Sequence, residues 1–213
     1  MPRFKIYPYN RAQLDAMANP SGGPKQPEAF ADELWDSQPF VNASTLSLQF
    51  FQSAQSDKTL SNLTVPGQLP QPQYFIVHYV AVDILFPGVS LDATTVSPTA
   101  PGNLNDVHLL INAARATLTL SIATKPYGPW RVRSCHSAGA PVGFGWGTFT
   151  APIGGQYGHI GPHDGGFCVN GGLIIPPATD FSALMNFSAV QTLKNNNVQI
   201  QVGLYGVRYR KVA

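Results

Sequence analysis

His159, His163 and Cys168 stand at the spacing H-x3-H-x4-C, with Cys135 and His136 further back in the chain. These are the ligand types of a zinc site. No C-x2-C knuckle accompanies them, and Gly155, Gly158, Gly161, Gly165 and Gly166 surround them. A glycine-rich loop with solvent-facing imidazoles accounts for the same letters, so no essential metal and no cofactor are expected. Ser134-Cys135-His136 places a nucleophile and a base side by side. Nucleophilic catalysis, however, needs a sharp turn and converging side chains, whereas neighbours on a strand point to opposite faces and no Gly-x-Ser-x-Gly elbow is present. Catalysis by this trio is not expected.

Paired carboxylates for glycoside chemistry would come from Asp57, Asp83, Asp92, Asp106, Asp164 and Asp180, because residues 41–213 contain no Glu. Asp83 sits inside an apolar run, where burial would raise its pKa, and a strand-end or interface hydrogen bond is the plainer account of it. Gly143-Phe144-Gly145-Trp146-Gly147 lacks the lysine and following helix of a phosphate loop, and reads as close backbone packing beneath large rings. Arg131 with Arg133, and Arg208 with Arg210 beside Lys211, form two basic pairs. They suit a solvated or intersubunit face better than a nucleic-acid groove, since no aromatic stacking platform clusters with them. No enzymatic activity is expected.

The elements that carry these residues follow from composition and period. The chain has 213 residues, only 11% of them charged, with 20 Gly and 19 Pro. That is long enough for one sizeable core, and too poor in charge for a solvated helical bundle. A net charge of +2 is too small for electrostatic capture of nucleic acid. No apolar run is long enough to span a membrane. Tyr7-Pro8-Tyr9-Asn10 stands where a signal peptide needs its apolar stretch, so export by a cleaved signal is not expected. Cys135 and Cys168 can form one bridge, and a chain without a signal more often keeps such a pair reduced.

From residue 41 onward the period is two. Leu46, Leu48 and Phe50, then Leu118, Leu120 and Ile122, then Phe181, Ala183, Met185 and Phe187 alternate with polar neighbours, although Leu184 breaks the polar face of the last. Tyr74 to Phe86 is apolar on both parities, which predicts a central strand covered on both faces. Val198, Ile200, Val202 and Leu204 point inward, and Val207 and Tyr209 fall on the other parity, predicting a glycine bulge near Tyr205. Val107 to Ile111, Pro129 to Cys135, Gly143 to Thr150 and Phe167 to Ile175 are further candidate strands. A helix from Asp106 to Ala116 competes for the first of these. The whole reads as an all-β sandwich of about eight strands. Residues 1–40 read instead as an irregular arm with helical turns at Arg11 to Met17 and Glu28 to Trp35, separated by Asn19-Pro20-Ser21-Gly22-Gly23-Pro24.

The residues 41–213 resemble the jelly-roll capsid proteins of icosahedral viruses, particularly those of tailless bacteriophages. The likeness lies in the Pro-containing arm, in Ala-Arg-Ala-Thr-Leu-Thr-Leu-Ser-Ile-Ala-Thr-Lys-Pro-Tyr at 114–127, in Leu-Ile-Ile-Pro-Pro-Ala-Thr-Asp-Phe at 173–181, and in the terminal Tyr-Gly-Val-Arg-Tyr-Arg-Lys-Val. The resemblance implies a jelly-roll virion protein that assembles with copies of itself and with other virion proteins into a shell in the host cytoplasm. Contacts with nucleic acid or an internal membrane surface would be weak. Phe4, Tyr7, Tyr9, Phe30, Trp35 and Phe40 give residues 1–40 too much aromatic surface for a disordered tail, so these rings are expected to dock on an adjacent subunit, as assembly contacts, or on the outer faces of their own sheets. On this reading, deleting 1–40 leaves a folded sandwich that assembles poorly. The alternative is a carbohydrate-binding sandwich or a receptor-binding spike component, stacking sugars on Trp130, Trp146 or Tyr157.

Overall fold

The period-two segments pair into eight strands in a computed structural model that describes residues 28–52, 57–85, 87, 106, 109–110, 115–135, 167–193 and 197–210. They are β1 (Glu28–Phe40), β2 (Ser47–Phe50), β3 (Tyr74–Leu85), β4 (Thr117–Ile122), β5 (Lys125–Arg131), β6 (Phe167–Ile175), β7 (Phe181–Asn186) and β8 (Val198–Arg210). Two four-stranded antiparallel sheets result, ordered β1-β8-β3-β6 and β2-β7-β4-β5. The first strand pairs with the last, the second with the seventh, the third with the sixth and the fourth with the fifth. That is one antiparallel ribbon rolled on itself, a jelly roll. The expected all-β sandwich of about eight strands is the architecture of the protein.

The inner faces supply the core. Leu118, Leu120 and Ile122 of β4 and Phe181, Ala183 and Met185 of β7 oppose Val198, Ile200, Val202 and Leu204 of β8, all buried in one cluster. Each such side chain contributes roughly 1.5–3 kcal/mol by leaving water. β3 lies between β8 and β6, as a strand apolar on both parities requires.

Four sequence expectations change. Glu28 to Trp35 is not helical: it belongs to β1, paired residue by residue with β8 from Glu28↔Arg210 to Phe40↔Val198. Thirteen ladder positions outweigh the local helix propensity, and the inward Asp36 hides the alternation of Leu34 and Phe40. The sandwich therefore starts by Glu28 and not at 41, and deleting residues 1–40 would remove a strand; residues 1–27, with the predicted turn at Arg11 to Met17, lie outside the described residues. The bulge expected near Tyr205 lies directly across from it, but in β3 and at His78, not at a glycine of β8: Val77 pairs with Gly206 and Tyr79 with Tyr205, while β8 runs unbroken along β1. Val207 and Tyr209 thus stay on the outer face, where Tyr209 stacks on Tyr74 at 4.8 Å and joins Ile76 and Ile174 in a second small apolar cluster. In the candidate strand at Val107 to Ile111, the described residues Leu109 and Leu110 are helical, as is Asp106 just before them. Finally, β5 starts at Lys125, and Val132–Cys135 is a helical turn instead of the end of a strand. Gly143 to Thr150 lies outside the described residues.

β1 is an edge strand, which is why Pro39 fits in it. Its open edge is sealed by 60–62: Ser37 N donates to Leu60 O (2.7 Å), Trp35 N to Asn62 Oδ1 (3.0 Å), and Asn62 Nδ2 to Glu33 O (2.6 Å). The fully buried Asp36 ties this edge to the segment leaving β2, accepting Phe51 N–H at 2.6 Å and Gln38 Nε2 at 3.0 Å. Phe51 has φ +68°, so its amide is held in a left-handed conformation that the carboxylate satisfies. Replacing Asp36 with Ala strands that amide in the core. The expected cost is about 2–3 kcal/mol in urea unfolding with an unchanged m value; a loss below about 0.5 kcal/mol would show that the amide finds another partner.

Candidate functional site

Ionisable groups concentrate on the outer face of the β1-β8-β3-β6 sheet. The ladders place Glu33, Tyr205 and Tyr79 side by side across three strands, then Trp35, Gly203 and Ala81, then Ser37, Gln201 and Asp83. Gly203 leaves the space in the middle: a Cβ there would lie 2.9 Å from the Tyr205 ring and 3.0 Å from Glu33 Oε1. The Tyr205 ring and the Glu33 carboxylate therefore fold over bare backbone, and the tyrosine hydroxyl donates to Glu33. Burial, that hydrogen bond and the Glu33 and Asp83 charges push the Tyr205 phenol above its ordinary value. Burial, and secondarily the Glu33 charge, push Asp83 up to about 6. Burial lowers the His78 imidazole, which favours its neutral form.

The middle of this face is out of water, with Ser37 and Ala81 each 1% exposed. A cavity of about 190 Å³ lies elsewhere, among Leu34, Asn62, Leu69, Gln73 and Arg208. It is smaller than a typical ligand site, and its cation is engaged, since Arg208 pairs with Asp32 and reaches Gln73. The arrangement is a pair of half-buried carboxylates beside a phenol.

The other candidates are dispersed. Cys135 is buried and its thiol is pushed up to about 12 by burial, so it is no thiolate nucleophile; Ser134 beside it is exposed, and His136 is outside the described residues. Cys135 and Cys168 are unbridged. His159, His163, Tyr157, Trp146, Asp92 and Asp164 lie outside the described residues, among which no three His, Cys, Asp or Glu side chains come together. Asp57 caps its own turn through Thr59 N (2.8 Å) and Thr59 Oγ1 (2.7 Å), which lower its pKa, and Asp180 accepts from Gln68. Asp106 is fully buried.

Of the predicted contact aromatics, Phe40 is 2% exposed and packs edge-to-face on Phe187 at 5.4 Å, so it is a core residue unavailable to a partner. Phe30 is half-buried beneath the Arg210 guanidinium (5.3 Å), and Trp35 is half-buried on the acidic outer face. Phe4, Tyr7 and Tyr9 lie outside the described residues. Trp130 packs on Phe167 at 5.3 Å and against the core.

The arginines divide. Arg208 pairs with Asp32 and Arg210 with Glu28. Arg131 and Arg133 are exposed, and Arg115 is exposed beside them, because Thr117 pairs with Arg131 and Val132 N donates to Ala116 O at 2.9 Å. Glu33, Tyr205 and Arg115 were not singled out by the sequence. The signal for Glu33 was its shared parity with Trp35, legible only once Glu28 to Phe40 is read as a strand.

No family model, curated protein or solved structure matches the chain. Among the described residues, no helix is long and apolar enough to cross a membrane.

Asp83 has a measurable signature. Its folded pKa of about 6 lies above the ordinary 3.8, so between these values the native state binds more protons than the unfolded chain, and stability falls as pH rises through that window. Asp83→Asn removes the penalty. The variant is expected to gain about 1–2 kcal/mol at pH 8, allowing for partial solvent screening, and to match the parent near pH 4. Equal gains at both pH values in denaturant unfolding would contradict the burial of its charge.

Proposed function

We propose that the protein is a structural coat protein that assembles with copies of itself into a virion shell. The observation that carries this reading is the strand order β1-β8-β3-β6 over β2-β7-β4-β5, the jelly roll used by viral capsid proteins, lectin domains and cupins. The resemblance of 114–127, 173–181 and the terminal strand to tailless-phage capsid proteins favours the first of these. The interior supports it: between the sheets lie packed Leu, Phe, Ile and Val side chains, and the buried Asp36 carboxylate is taken up by Phe51 N–H and Gln38 of the same chain. Trp130, a stacking platform in the sugar-binding alternative, spends its ring face on Phe167.

The surface also favours assembly. Val41, Leu46, Leu85 and Val190, 59%, 53%, 37% and 43% exposed, gather at one end of the sandwich. The connections there are held rigid, with Asn42 Nδ2 donating to Leu193 O (2.8 Å), Leu193 N to Asn42 Oδ1 (2.7 Å) and Ala43 N to Gln191 O (3.0 Å). Large apolar side chains fixed in water by ordered loops are characteristic of a protein contact.

The experiment is a mass measurement on the purified full chain across concentration and ionic strength, by light scattering and electron microscopy. Closed particles, rings or defined oligomers are expected. A chain that stays monomeric under every condition, and is retained on a polysaccharide column, would replace this reading with the sugar-binding one.

A further inference from the structure

The edges of the two sheets differ in how they are protected. β1 has its open side taken by 60–62, with Ser37 N donating to Leu60 O and Trp35 N to Asn62 Oδ1. β5 carries Lys125 and Arg131, and its Pro126 and Pro129 have no N–H to offer. In β6, Gly171 and Gly172 at φ +86° and +70° interrupt the extended backbone. The edge strand β2 has none of these devices, since Ser47-Leu48-Gln49-Phe50 is free of charge, proline and glycine. Phe187 N donates to Leu46 O at 2.9 Å on the β7 side, and Phe51 N donates to Asp36 Oδ2 at 2.6 Å on the other side. Backbone groups alternate sides along a strand, so Leu48 bonds toward β7 while Ser47 and Gln49, both exposed, turn their N–H and C=O groups to the open edge. Among the described residues nothing bonds to them there. Leu46, 53% exposed, stands at the head of this edge. Residues 37–56 and 181–193, which hold β2 and its partner β7, contain no Asp, Glu, Lys, Arg or His.

We propose that the open edge of β2 pairs antiparallel with β2 of a second copy, Ser47 opposite Gln49 about a twofold axis at Leu48, joining two β2-β7-β4-β5 sheets into one continuous sheet. This rests on the coat-protein reading for the identity of the partner, and names the contact. An unpaired strand edge is a template whose complement is another strand edge. The symmetry follows from the register. Opposed Ser47 and Gln49 exchange both N–H···O=C bonds, and the same exchange recurs across the axis, so the open groups of both residues find partners. A twofold contact also brings side chains at the axis near their own symmetry mates, where a charge would meet its like. The charge-free stretches around β2 and β7 meet that requirement, whereas β5 with Lys125 and Arg131 does not. The register sets Leu46 of each copy opposite Phe50 of the other, so an apolar side chain that the single chain leaves in water is covered in the pair.

The test uses the full chain and two variants at the exposed positions of β2, Ser47→Glu/Gln49→Glu and Ser47→Lys/Gln49→Lys. Thermal unfolding establishes that each is native, and light scattering reads the concentration at which association begins. Each variant alone is expected to need at least about tenfold more protein than the parent, because like charges then oppose across the axis. Mixed one to one, the two are expected to associate near the parent concentration, since each then meets its opposite. The parent itself supplies a reading that needs no variant: its Ser47 and Gln49 amides are expected to exchange with solvent quickly when dilute and slowly when associated. Native variants that associate at the parent concentration, a mixture that stays dispersed, or Ser47 and Gln49 amides whose exchange does not slow on association would overturn the contact while leaving the coat reading intact. A parent that associates through β2 and stops at pairs would support the contact and overturn the coat reading. A parent that stays monomeric at every concentration would overturn both.

Discussion

The antiparallel ladder between β1 and β8 runs without interruption from Glu28↔Arg210 to Phe40↔Val198, and the remaining architecture depends on it. It joins segments some 170 residues apart in sequence, so its closure entropy is set against the gain from many ladder bonds and the burial of Leu34, Phe40, Val202 and Leu204. Once the ladder is fixed, β8 presents its second edge to β3, and β3 presents its own to β6. Asp36 then couples this sheet to the start of the β2–β3 connection through the Phe51 amide. The inner faces of both sheets are aligned as a consequence.

The strands that were legible in the sequence are those whose two faces differ in chemistry. Leu118-Thr119-Leu120-Ser121-Ile122 states its inward and outward sides residue by residue, and the structure buries Leu118, Leu120 and Ile122 as written. β1 conceals itself because its inward parity includes a carboxylate, and because Pro27-Glu28 imitates a helix start; only a partner nearly the whole chain away reveals it. The β8 parity switch at Gly203 and Gly206 was visible, yet its cause was not. The two glycines do not restore register. Gly206 admits the Ile76 carbonyl where a methyl would overlap it, and Gly203 makes room for Tyr205 and Glu33. Both are contacts between distant segments, which a local pattern does not encode. The acidic face was hidden for the same reason, since Glu33 and Asp83 meet through β8 and not through proximity in sequence.

The distribution of polarity links fold to proposed role. Charged residues are scarce, and Glu33 and Asp83 share the outer face of one sheet while Arg115, Arg131 and Arg133 lie exposed where β4 begins and β5 ends. On the proposed reading, the exposed apolar end at Val41, Leu46 and Val190 is where neighbouring copies of the chain would meet.

The most direct test of the central constraint is native-state hydrogen exchange on the full chain, read at β1. Ser37 N and Trp35 N donate to the 60–62 segment, and the strand's other edge is bonded to β8, so amides from Leu34 to Gln38 should exchange as slowly as those of Val202 and Leu204, through global unfolding only. If the β1 amides instead exchange at the rate of exposed loops while β8 and β3 remain protected, Glu28–Phe40 is a detachable arm after all, and the rolled ribbon does not depend on its first strand.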